Sequence, residues 1–138
     1  IIVGPGEDSY YNIVKQRIKM HGLEDDIQLV GELYGHDKQK ALFNSSLFIL
    51  PSYSENFGLV ISEALMSGLP VITTNKTPWL NLQEIGCGWT ISPEINELVE
   101  ALEEATKMTP GQIGRNWMID KFTWKNFGKN LMSIYSNI

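Results

Sequence analysis

Cysteine is nearly absent from this chain: Cys87 is the only one in 138 residues. No internal disulfide can form, which suits a reducing, cytoplasmic compartment. Basic residues are scarce, 11 against 16 acidic ones, and the formal net charge is -5. Counterion release cannot drive a chain of that sign onto nucleic acid, and an anionic membrane is an equally poor main partner. The two histidines, His21 and His36, have no neighbours at metal-ligand spacing, so they read as a helix-end and a loop residue. Cys87, alone between Gly86 and Gly88, reads as a small packing residue and not as a nucleophile. No apolar run reaches the length that a membrane span needs. The turn Gly4-Pro5-Gly6 lacks the third glycine of a dinucleotide fingerprint and a Walker lysine, so by itself it specifies no nucleotide.

What is present is ordinary in amount and regular in order. The hydrophobic fraction is 43% and the charged fraction 20%, enough for one domain with its own core. Short apolar strands are expected over 1–3, 27–30, 47–50, 70–73 and 89–91. Helices are expected between them: 9–20, capped by Asp8 or Ser9; a short one after Asp37; one ending at Met66; one or two turns over 79–85; and an amphipathic one over 94–107. Thr109-Pro110 reads as a cap followed by proline at a first helical position, and Thr123 as the cap of a last helix through Tyr135. Alternating unbroken strands and helices predict an α/β fold, a Rossmann-like parallel sheet flanked by helices. Ligands of such sheets bind beyond the carboxyl ends of the strands. The loops 4–6, 31–36, 52–58 and 74–78 all follow strands, so they are expected to gather on one edge.

The segment 54–72, SENFGLVISEALMSGLPVI, carries the chemistry. Glu55 and Glu63 are separated by seven residues, and Glu63 is the only charged side chain between Phe57 and Ile72. A carboxylate in so apolar a helix is costly to bury without a partner. Gly58 lies between the acids at the expected helix start, where a glycine lets free backbone N–H groups approach an anion. Two hydroxyl acceptors thus flank a phosphate site, an arrangement suited to a sugar, a diphosphate and a ribose.

Glu55-x-Phe57-Gly58-Leu59-x-x-x-Glu63-Ala64-Leu65-x-x-Gly68-x-Pro70-Val71-Ile72 resembles the signature of retaining GT4-family glycosyltransferases, the glycosyl transferases group 1. Val3-Gly4-Pro5-Gly6, Val30-Gly31, Leu50-Pro51-Ser52, Phe122-Thr123-Trp124 and Tyr135 extend the resemblance over nearly the whole chain. It implies the C-terminal half of a GT-B fold. Residues 1–138 would be a single nucleotide-sugar-binding domain of a longer two-domain enzyme, as the start on a strand under way also suggests. Residues 109–138 would be C-terminal helices that pack on the absent N-terminal domain. By the same resemblance Glu55 binds hydroxyls of the transferred sugar and stabilises charge at the reacting carbon. Glu63 accepts from the ribose. N–H groups of Gly58, Leu59 and Val60, next to Phe57, hold the distal phosphate. Gly4 and Gly6 let the backbone approach the diphosphate, and Leu33 and Tyr34 meet the base. The implied donor is a UDP-, GDP- or related nucleotide sugar and the implied acceptor a glycan or glycolipid. No cofactor and no metal at the diphosphate are implied. The full-length protein would be cytoplasmic or peripheral at the inner membrane face.

The chain departs from the family where Asn75-Lys76-Thr77-Pro78-Trp79 stands in place of the frequent Gly-Gly-x-Pro-Glu. The family's diphosphate-binding Arg and Lys precede the Gly-x-Gly turn and fall outside this sequence, so the fragment alone is expected to be inactive. Two alternatives share the pattern. One is a non-catalytic nucleotide-binding or interaction module. The other is a GT-B-fold sugar-nucleotide epimerase, which would carry further acid–base residues. Trp79 and Trp89 read as core or lid residues before sugar platforms.

Overall fold

The computed structural model describes residues 1–6 and 8–136. They form two compact units, the first over Ile1–Ala41 and the second from Leu42 onward. The first holds β1 (Ile2–Val3), α1 (Asp8–Met20), β2 (Leu29–Gly31) and most of α2 (Gly35–Phe43). Its strands pair in parallel, Ile2 with Leu29 and Val3 with Gly31. The helix α1 starts at Asp8, whose side chain lies outside the described residues, so its expected cap is not part of the description. It ends as His21-Gly22 predicts. Gly22 takes a φ of 65°, and the Leu23 N–H returns to the Ile18 carbonyl at 3.0 Å, which satisfies an otherwise orphaned carbonyl. Of the predicted inner positions of α1, Ile18 is buried, Val14 half-buried and Tyr11 exposed.

The second unit continues with β3 (Phe48–Leu50), α3 (Leu59–Met66), β4 (Val71–Thr74), α4 (Leu82–Ile85), β5 (Gly88–Ile91), α5 (Ile95–Ala105), α6 (Ile113–Lys121) and α7 (Trp124–Ser136). The strands form a parallel sheet in the order β3-β4-β5. All four residues of the central strand β4 are buried. Successive side chains of a strand point to opposite faces, and the core divides accordingly. Val71 joins Ile61, Leu65, Leu82, Cys87 and Met118 in one cluster. Ile72 joins Trp89, Ile91, Ala101 and Ala105 in the other. Helices α3, α4 and α6 therefore cover one face and α5 the other, as the α/β pattern predicts. Gly88 sits against Val71 in the ladder. A Cβ there would stand 2.0 Å from the Val71 carbonyl oxygen, so the strand crossing admits no side chain.

Four expectations need correction. The single expected sheet is two parallel ladders, β1-β2 and β3-β4-β5. Each ladder sends its own pair of loops from its carboxyl ends, and the four loops do not share one hydrogen-bonded sheet. The helix α2 begins at Gly35, so Gly35 and His36 leave the loop expected over 31–36 and Asp37 lies inside the first turn. Thr109-Pro110 does not open a helix, because α6 begins at Ile113. The Gly111 N–H donates to the Gly68 carbonyl at 2.8 Å, which holds this stretch as a connector. The helix then starts where Gly114 fits against Leu65, since a Cβ on Gly114 would meet Leu65 Cδ2 at 2.8 Å. Finally, residues 79–81 are not helical, because Trp79 is drawn into the core and α4 is a single turn from Leu82. The last expected helix is α7, whose Thr123 carbonyl accepts from the N–H groups of Asn126 and Phe127 at 3.0 and 2.9 Å. Residues 137 and 138 of the expected C-terminal segment lie outside the described residues.

Candidate functional site

In the second unit the loop between β3 and α3 carries Glu55 and leads into the α3 N-terminus. Neighbouring strands explain how it is held. Leu50 pairs with Thr73, and the buried Thr73 hydroxyl donates to the Leu50 carbonyl at 2.9 Å. One residue on, the hydroxyl of the equally buried Thr74 donates to the Ser52 carbonyl. The far end of the loop is fixed by Trp79, whose Nε1–H donates to the Phe57 carbonyl at 2.5 Å. A buried indole must find an acceptor for its N–H, and here that acceptor is the loop backbone. Phe57 also rests on the Trp79 ring, with centroids 5.2 Å apart. Trp79, Trp117 and Phe122 complete an aromatic cluster with centroid spacings of 5.5–5.8 Å.

Gly58 is the N-cap of α3, with φ 71° and ψ 61°. That left-handed conformation is one that glycine alone adopts cheaply. A Cβ there would also press on Ile61 Cδ1 at 3.1 Å. No side chain caps the helix and its first turn holds no acid. The first N–H groups of an α-helix have no intrahelical acceptor. Those of Leu59 and Val60 follow Gly58 at an end where Leu59 is 71% exposed. Ile61, Ala64 and Leu65 turn into the core, which leaves Glu63 half-buried on the other side of the helix, one turn along from Leu59 and Val60. Glu55 is half-buried in the loop. One stitched segment therefore brings together Glu55, Phe57, Gly58, Leu59, Val60 and Glu63.

The remaining candidates belong to the first unit. Gly4, with φ 149°, follows β1, and its N–H donates to the Gly31 carbonyl at 2.9 Å. The two loops that leave this ladder are thus tied together. Gly6 packs on Tyr11, whose Cβ would lie 3.1 Å from a Cβ at this position. Leu33 is half-buried and Tyr34 exposed. The Tyr34 hydroxyl bonds to Glu32, which raises its pKa above the ordinary phenol value.

The bland readings of three residues stand. Trp79 and Trp89 are core residues at 2% and 9% exposure. Trp89 Nε1 donates to Glu104 Oε2 at 2.7 Å. Cys87 is buried, and burial pushes its thiol up to about 11, far from a nucleophile's range. Sequence reasoning missed Thr74 and Trp79 as the residues that hold the Glu55 loop. The signal was available: a buried threonine pair at a strand end and a tryptophan near a polar loop both need acceptors. Among the described residues no group of three His, Cys, Asp or Glu is placed to hold a metal, and no helix is long and apolar enough to cross a membrane.

Residues 1–116 match the family model described as glycosyl transferases group 1. Among curated proteins, the chain is 27% identical to a sucrose synthase of Nitrosomonas europaea over 132 residues, covering 86% of this chain and 16% of that protein. It is 26% identical over 133 residues to the alpha-1,3/1,6-mannosyltransferase ALG2 of Dictyostelium discoideum, covering 91% of this chain and 31% of the relative. The chain thus spans well under half the length of these relatives. Among solved structures, Anabaena HepE in complex with UDP aligns with a TM-score of 0.78 at 22% identity, over 99% of this chain and 40% of that one. At that identity the likeness speaks for the fold.

Proposed function

This chain belongs to the glycosyl transferases group 1 family, and we propose that it is the donor-binding domain of a retaining glycosyltransferase. In this reading it binds a nucleotide-diphosphate sugar whose sugar the whole enzyme moves to a glycan or glycolipid acceptor. The observation that carries the proposal is the uncapped α3 N-terminus at left-handed Gly58, with Glu55 before it and Glu63 one turn into it. Breaking the bond between the sugar's anomeric carbon and the diphosphate oxygen leaves negative charge on the leaving group. The N–H groups of Leu59 and Val60 and the helix dipole stabilise that charge. Glu55 accepts from sugar hydroxyls and opposes the positive charge that develops at the anomeric carbon. Glu63 accepts from the ribose hydroxyls.

HepE was solved with UDP and with UDP-glucose, which makes the uridine conjugates the first donors to test. Leu33 and Tyr34 are the proposed base contacts, and Gly4 and Gly6 the backbone approach to the diphosphate. The reading needs no metal, since backbone N–H groups meet the phosphate. The short span relative to the family's longer members fits a reading in which residues 1–138 bind donor weakly at best and do not transfer it alone. In the longer enzyme the helices after residue 109 would pack on an N-terminal domain that supplies the acceptor site.

Titration calorimetry with UDP and UDP-glucose tests the roles. Glu63→Ala is expected to weaken both ligands by ~1–3 kcal/mol, the worth of a lost charged hydrogen bond. Glu55→Ala is expected to weaken UDP-glucose and leave UDP untouched. Equal losses for both ligands in both variants would sink the assignment.

A further inference from the structure

We propose that Phe122 is a positioning residue for the α3 N-terminus, acting through Phe57 and Trp79, an inference that rests on the donor-site reading above. Phe122 is the C-cap of α6, and its N–H donates to the Met118 carbonyl at 2.9 Å. Its ring therefore leaves a fixed point of the backbone. It lies edge-on to Phe57, with centroids 6.0 Å apart and planes at 68°. The Trp79 ring is 5.6 Å away. These two residues set Gly58 in place: Phe57 precedes it, and Trp79 Nε1–H donates to the Phe57 carbonyl. One side chain of α6 thus touches both the residue before the helix cap and the indole that holds that residue's backbone.

The helix that carries Phe122 is registered along the whole of α3. At the C-terminal end of α3, Arg115 Nη1 donates to the Met66 carbonyl at 3.2 Å, and Gly114 fits against Leu65. Midway, Met118 shares a core cluster with Ile61 and Leu65. Phe122 supplies the contact at the N-terminal end, so α6 runs back along α3 and clamps it from end to end. Stability alone gives little reason for that last contact. Phe57 and Phe122 are 40% and 47% exposed, against 2% for Trp79, so their mutual contact removes little apolar surface from water. What it restricts is the rotation of Phe57 and of the peptide that joins it to Gly58. Gly58 holds φ 71° and ψ 61°, and glycine has more alternatives open to it than any other residue. Its neighbours must impose the cap. Without Phe122, Phe57 rests on Trp79 alone of these two rings, and Trp79 loses a ring beside its own. The Leu59 and Val60 N–H groups then meet a phosphate in only part of the ensemble, and affinity falls with that fraction.

The test is amide NMR of the 138-residue chain, free and titrated with UDP and GDP, which reads weak binding, together with urea melts. In Phe122→Ala the nucleotide that the wild type binds is expected to bind about tenfold more weakly, as for a helix end in its binding arrangement about a tenth of the time. The Gly58, Leu59 and Val60 amide signals are expected to move in the free protein, and those of α5, on the other face of the sheet, to stay. Phe122→Leu keeps apolar bulk should Phe122→Ala fold poorly, and is expected to lose about threefold. Phe122→Tyr restores the wild-type affinity. Trp124→Ala, at an 87% exposed neighbour, is expected to change neither readout. Unchanged affinity in Phe122→Ala and Phe122→Leu, with a lowered urea midpoint, overturns the inference and leaves the donor site intact. An equal loss in Trp124→Ala also overturns it. No binding of either nucleotide by the folded wild type overturns the donor-site reading and the donor role of Phe122 with it. Unmoved Gly58 signals in Phe122→Ala would remove the positioning as well.

Discussion

The two units carry their candidate residues on very different foundations. Among the described residues of 1–41 Ile18 is the only buried apolar side chain, and Ile1, Ile2, Val3, Tyr10 and Ile13 are 45–66% exposed. From Leu42 onward, two core clusters sandwich a strand that is buried along its whole length. The chemistry follows the same division. Glu55, Glu63 and the α3 N-terminus sit on the well-packed unit, where threonine and tryptophan side chains lock the loop. The glycine turn and Tyr34 sit on ladder ends of two and three residues. Position can be fixed to a fraction of an ångström only by a dense surround. The second unit therefore has the structural means to hold its loop in one position, and the first unit has far fewer buried contacts to do so.

The widest expected separation between the units comes from their backbones. All four tryptophans lie at or after Trp79, so their fluorescence reports the second unit alone. Gly88→Ala drives a methyl onto the Val71 carbonyl, a contact of 2.0 Å with rigid backbone. A urea melt is expected to show a loss of ~3 kcal/mol or more, the upper range for overpacking. Ile13→Ala, at an exposed site of α1, is expected to move the same melt by less than ~0.5 kcal/mol. Comparable shifts for the two would erase the contrast between the units.

A smaller effect sharpens the comparison at the loop. Trp79→Phe keeps a ring among Phe57, Trp117 and Phe122 but removes the donor to the Phe57 carbonyl. The expected cost in the melt is ~1 kcal/mol, a typical net hydrogen bond. The donor consequence is expected to be larger than the stability consequence, because the Glu55 loop loses its far anchor. UDP-glucose binding should therefore fall more than UDP binding. Equal weakening of both would mean that the bond stabilises the unit without placing Glu55.

Much of this was legible in the sequence. The order of strands and helices was readable because each short apolar run is bounded by glycine, proline or a capping residue. The Glu55–Gly58–Glu63 segment was readable because its chemistry is compressed into nine consecutive residues. What escaped were relations between distant residues. Strands of two to four residues are too short to state their own register, so nothing local separated one ladder from two. Trp79 reads as a core residue, yet its partner lies 22 residues away. Thr109-Pro110 obeys the local rule for a helix start, and a backbone bond from Gly111 to Gly68 overrules it. Local chemistry named the candidate residues, and tertiary hydrogen bonds decide how firmly the structure holds them.

The smallest expected effect comes from the only cysteine. Cys87 lies in the core cluster of the second unit at 3% exposure. Burial raises its thiol from an ordinary 9.0 to about 11, because an apolar surround disfavours the thiolate. The folded state then holds this proton more tightly than the unfolded state does. Its contribution to stability is complete below about 9 and disappears as pH rises through about 11. Unfolding followed by tryptophan fluorescence in wild type and Cys87→Ala gives the measurement, since the tyrosines and lysines common to both cancel in the difference. The wild type is expected to lose stability relative to Cys87→Ala across that interval, and the two to run parallel below it. Parallel curves throughout would mean that the thiol ionises in place, and that the core around β4 is more open to water than that of a well-packed unit should be.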